Sequence, residues 1–210
     1  MTTESTEATE PAEAAKDLVH RRLKQAREVL VWKLDGLSEY DIRRPMTATG
    51  TNLLGLVKHV ATWESRYFGE VFGRPFPEPV PRWEDSDGSE MWAAEDETRA
   101  QIVDFSRRAA AHADATISEL PADAPGRVPW WSQPEVQLFA IVVHMLDDVT
   151  RHAGHADILR ELIDGRTGFA AAYEEPIDVA AREALRARIE EAARAADKVA
   201  SALDIASALD

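Results

Sequence analysis

The stretch VVHMLDDVTRHAGHADILRE, residues 142–161, decides how this chain is read. It places His144, Asp148, His152 and His155 at successive steps of four, four and three. At about 100° per residue on an α-helix, these four side chains fall within roughly 80° of one face. Ile141, Leu159 and Leu162 share that arc, so the face is expected to turn inward. Three imidazoles and a carboxylate on an otherwise apolar face need partners, because burying ionisable groups is costly unless they are paired or bound to a metal. The spacing leaves two solutions open: a divalent ion, or a His–Asp hydrogen-bonded network without one.

Composition narrows the chemistry. A chain of 210 residues is long enough for one domain with a sizeable core, plus a tail. It has no cysteine, so disulfides and thiolate metal sites are excluded. Any metal would be held by His, Asp, Glu or water, which favours an open site over a closed structural one. The net charge of −14 argues against nucleic acid and anionic membranes as partners. No stretch reaches the apolar length of a transmembrane helix. The first residues, MTTESTEATEPAEAAKD, lack the basic start and apolar core of a signal peptide, so cytoplasmic residence is the default expectation.

Hydrophobic periodicity predicts an all-α bundle of four helices with an added C-terminal helix. Residues 1–12 read as a disordered acidic tail, 13–175 as the bundle and 176–210 as an Ala-, Arg- and Glu-rich helix. The first helix is expected from about Ala12 to Asp35, with Leu18, Leu23, Val29, Leu30 and Leu34 as its apolar positions. Thr51 or Asn52 caps a second that ends at Gly73. A third runs from Glu95 to Leu120, a fourth from Pro134 to Asp164 with Gly165 closing it, and a last from Ile177 to Leu203. No segment alternates long enough to predict a strand. The proline-rich loop RPFPEPVPRWEDSDG is long enough to be functional or mobile.

The second helix adds His59, whose arc also carries Leu56, Trp63 and Tyr67. Residues four apart are neighbours on a helix, so Asp148 and His152 can reach one ion. With His59 they make two imidazoles and one carboxylate. That set suits zinc first, and also nickel, iron(II) or manganese, and leaves positions for water or substrate. Asp147 falls on the far side as a solvated charge, and Arg151 is placed to pair with a nearby acid. Glu64 and Lys58 read as solvated or paired surface groups. Trp130, Trp131, Trp83 and Trp92 either wall an apolar pocket or anchor loops onto the bundle. Arg43 and Arg44 either bind an anionic cosubstrate or sit at the surface of a helix junction.

At two segments, LSEYDIRRPMTATGTNLLGLVKHVATWESRYFGEVFG (37–73) and VVHMLDDVTRHAGHADILRELIDG (142–165), the chain resembles the DinB-like superfamily, in its mycothiol-transferase-like branch. The resemblance implies a four-helix bundle with a divalent metal held by one residue of the second helix and an i,i+4 pair of a later one. By position these are His59, Asp148 and His152. Many relatives carry His where this chain has Asp148, and acidic residues there resemble the mycothiol-associated branch. His155 follows the glycine where many relatives have Gln. The resemblance places it beside the ligands or facing substrate. Read from their own positions, His144, Tyr67, Trp63 and Arg43 are further candidates beside the ligands or facing substrate.

The implied activity is a metal-dependent thiol S-transferase joining a low-molecular-weight thiol, such as mycothiol or bacillithiol, to a small electrophile. The chemistry stands on its own terms: a Lewis-acidic ion lowers the pKa of a bound thiol, and the thiolate is the nucleophile. Two alternatives remain at this point. One is another metal-dependent isomerase or hydrolase on the same bundle. The other is a non-enzymatic, stress-associated binding protein. The resemblance also leaves a homodimer open.

Overall fold

The computed structural model describes residues 4–80, 87–170, 173 and 177–207. Among the described residues six α-helices dominate: α1 (Glu4–Trp32), α2 (Glu39–Arg43), α3 (Leu53–Tyr67), α4 (Arg99–Glu119), α5 (Leu138–Asp164) and α6 (Val179–Ser207). The chain divides into two compact units, Met1–Glu174 and Glu175–Asp210. The first holds α1 to α5 in a mostly α, DinB-like fold. Within it α3 packs most extensively on α4 and α1 on α5, with a further α3–α5 seam. One core joins them, including Leu23, Leu30, Leu54, Leu56, Ile117 and Ile141. The second unit contains α6, where Arg194 pairs with Glu190 one turn away at 2.8 Å.

Local signals explain most helix ends. Asn52 accepts from the Gly55 amide at 2.8 Å and starts α3. Thr98 and Gln101 form a reciprocal capping box, so α4 begins at Arg99 and not at Glu95. Gly165, at φ 75°, closes α5 as expected. The second helix stops at Tyr67, and the chain reaches Gly73 through a 3-10 turn, Glu70–Phe72. α1 begins at Glu4, earlier than the Ala12 start its periodicity suggests.

The absence of strands is corrected by a small hairpin. β1 (Pro125–Arg127) and β2 (Glu135–Gln137) pair antiparallel, with Gly126 opposite Val136. Three-residue strands carry too little alternation to be seen in a sequence. α5 therefore starts at Leu138, directly out of β2, and not at Pro134.

The inner face of α1 is the largest departure from expectation. Its buried stripe runs Lys16, His20, Leu23, Arg27 and Leu30, while Leu18 is 52% exposed. Each buried polar group has a partner. Lys16 donates to the Leu120 carbonyl at 2.7 Å, His20 meets Asp114 at 2.7 Å, and Arg27 bridges Glu64 at 2.6 Å and Asp114 at 2.7 Å. Glu64, read from sequence as a surface group, is buried on α3 because Arg27 crosses the interior to meet it. On α5, Leu162 is 64% exposed and does not join the inward arc of Ile141 and Leu159.

Candidate metal centre

The site forms along the α3–α5 seam. His59 on α3 faces Asp148 and His152, which stand one turn apart on α5. One ligand atom from each lies within 4.8 Å of the others. The rings of His59 and His152 meet edge to face, with centroids 4.7 Å apart. His152 Nε2 lies 3.5 Å from a carboxylate oxygen of Asp148. Its Nδ1 is buried and has no hydrogen-bond partner among the described residues. A buried imidazole nitrogen left without a partner is unfavourable, and a cation removes that penalty. Donors about 2 Å from one zinc ion lie no more than about 4 Å apart, so a small inward rotation of these side chains suffices. The residues present fit a divalent metal.

The electrostatics favour the donor forms. Burial, reinforced by the neighbouring His152, lowers the His59 pKa to about 4, against the opposing pull of Asp148 and Glu90. His59 is thus neutral at physiological pH, the charge state a metal ligand requires. Burial pushes the Asp148 carboxyl up. The hydrogen bond to His152 and the charges of His152, His59 and His144 more than offset it and hold the group below the usual carboxylate range.

Glu90 is a residue that sequence reasoning missed. It sits in a 3-10 turn, Ser89–Met91, at the end of the proline-rich loop, and is buried. A Cβ at position 55 would run into the Met91 carbonyl oxygen, so only glycine lets this turn rest directly on α3. No spacing rule links Glu90 to His59; the G-x-x-x-H of α3 (Gly55, His59) was the only local trace.

An aromatic wall continues from the donors. His144 lies between Tyr67 and Trp131, with ring centroids 5.0 and 4.9 Å away. Trp130 stands 5.5 Å from Tyr67 and 6.4 Å from Trp63, and its indole N–H donates to the Tyr67 hydroxyl at 3.4 Å. A cavity of about 520 Å³ is lined by Trp130, Trp131 and neighbouring hairpin residues. Burial lowers the His144 pKa, with Asp148 and Asp147 opposing. His144 is not one of the three grouped donors.

The remaining expectations divide. His155 is exposed, its ring 5.5 Å from that of His152. Arg43 donates to the carbonyls of Ala94 and Glu97 and to Glu39, so its guanidinium ties the segment before α4 to α2. Arg151 pairs with exposed Asp147 at 3.2 Å. Lys58 pairs with Glu97 at 2.7 Å. Trp92 is exposed, and Trp83 lies outside the described residues.

A sequence model of the mycothiol-S-transferase family matches residues 18–165, more than half of the chain. The chain belongs to the mycothiol-S-transferase family. The matched span of this mycothiol-S-transferase family member contains His59, Asp148 and His152, the aromatic wall and the Arg27–Glu64 pair, and it ends at the glycine that closes α5. Among curated proteins, none matches the chain. No helix among the described residues is long and apolar enough to cross a membrane.

Proposed function

We propose that this chain is a cytoplasmic, divalent-metal-dependent thiol S-transferase that joins a low-molecular-weight thiol such as mycothiol to a small electrophile. The observation that carries the reading is the convergence of His59, Asp148 and His152, one donor atom of each within 4.8 Å of the others, in a chain of this family. His59, Asp148 and His152 would hold the ion, zinc first, with nickel, iron or manganese as the other candidates. A divalent ion held there supplies the Lewis acidity that keeps a thiol ionised near neutral pH.

The chain's own groups do the rest. Having no cysteine, the protein must receive its sulfur nucleophile with the cosubstrate. Asp148 contributes a negative charge that lowers the net charge of the site. Tyr67, Trp130, Trp131 and His144 form the wall against which a small electrophile packs. The thiol gives its proton to solvent water, the sulfur–carbon bond forms as the carbon–leaving-group bond breaks, and the leaving group departs with that bond's electron pair.

The experiment is conjugation of mycothiol to a chromogenic aryl halide by metal-loaded protein. Turnover that disappears on chelation and returns with zinc is the expected result. Equal turnover by the chelated protein would reject the reading.

A further inference from the structure

The indole N–H of Trp63 donates to Nδ1 of His59 across 3.2 Å, one turn along α3. That bond sets the state of the imidazole. A ring nitrogen that accepts is bare, so the ring is neutral and carries its proton on Nε2. A metal also needs a bare nitrogen. At Nδ1 the lone pair is already taken by the indole. At Nε2 the proton would have to move to Nδ1, where it would point at the indole N–H. Both routes break the same hydrogen bond.

We infer that Trp63 is a positioning residue that gates metal uptake: its N–H occupies the lone pair of His59, and entry of a divalent ion expels that N–H and re-seats the indole ring. The inference rests on the metal reading above. The ring is only 6% exposed, so it cannot leave without moving its neighbours. It stands 6.4 Å from Trp130, and the Arg66 guanidinium lies over both rings, 5.6 Å from the centre of Trp63 and 4.7 Å from that of Trp130. Trp130 in turn donates to Tyr67. Loading the metal and shaping the aromatic wall are therefore coupled through Trp63.

The test is ¹⁵N NMR of the indole N–H groups in metal-free protein titrated with zinc chloride. The Trp63 signal is assigned by contacts to His59 and Trp130 and by its loss in Trp63→Phe. The Trp63 resonance is expected to shift as zinc binds. Trp63→Phe keeps an aromatic ring but has no N–H to expel. It should take zinc about 2- to 12-fold more tightly in competition with a chelating dye, the fold-change that corresponds to one ordinary net hydrogen bond. An indole resonance that stays still while zinc binds would overturn the gate and leave the metal site standing. Unchanged or weaker zinc affinity in Trp63→Phe would also overturn it. If the wild type takes up no zinc, both the gate and the metal reading fall. The wild-type resonance can be read even if the variant does not fold.

Discussion

Arg27 of α1 meets Glu64 of α3 at 2.6 Å in the interior, and Glu64 is 1% exposed. A buried pair of this kind adds little net stability, but removing one member leaves the other charged and unpaired. Arg27→Ala is therefore expected to cost about 3–5 kcal/mol in urea denaturation. The double variant Arg27→Met, Glu64→Leu should recover most of that loss, because both charges are gone. A small loss in the single variant would mean that Glu64 is satisfied by other groups.

Asp114 anchors the same network and gives it a pH dependence. Burial raises its pKa, but the His20 hydrogen bond and the Arg27 guanidinium outweigh burial and hold it at about 2, against 3.8 for an ordinary Asp. Because the folded pKa is the lower one, the unfolded chain binds the proton more readily, and the contribution is fully present only above the unfolded value. The stability difference between wild type and Asp114→Asn should be flat above about pH 5 and shrink as pH falls through 4 toward 2. Paired denaturation curves across that range check it, and a difference that grows on acidification contradicts it.

That His59, Asp148 and His152 come together was legible because helical spacing is a local rule: i,i+4 puts two side chains on one face, and the apolar arc of α3 turns His59 toward them. The caps at Asn52 and Thr98 and the stop at Gly165 follow from local chemistry too, although Thr98 was overlooked in favour of Glu95. The inner face of α1 was not legible, since Lys16, His20 and Arg27 count as outward residues until their partners on other elements are known. Glu64 was misassigned for the same reason. Glu90 depends on a turn lying across Gly55, a contact between segments that no periodicity encodes.

Glu90 should matter to metal affinity without being a ligand. Its negative charge raises the basicity of His59. Glu90→Gln removes the charge and keeps the shape, so zinc affinity should fall about fivefold, on the order of 1 kcal/mol for one partly screened charge. Titration against a chelating dye measures this. Complete loss of zinc would make Glu90 a direct ligand instead.

His144 belongs to the aromatic wall and not to the donor group. His144→Phe is expected to keep the full metal content while lowering turnover on an aryl halide about tenfold, in the range seen for lost positioning groups. The loss should lie mainly in kcat/KM. Loss of metal in this variant would move His144 into the ligand set.

The central claim is that His59, Asp148 and His152 hold one divalent ion. Elemental analysis of zinc-loaded protein, after excess metal is removed, tests it most directly. The account predicts about one zinc per chain in the wild type and in Trp63→Phe, and almost none in His59→Ala or His152→Ala. Zinc retained at one per chain in both histidine variants would contradict it.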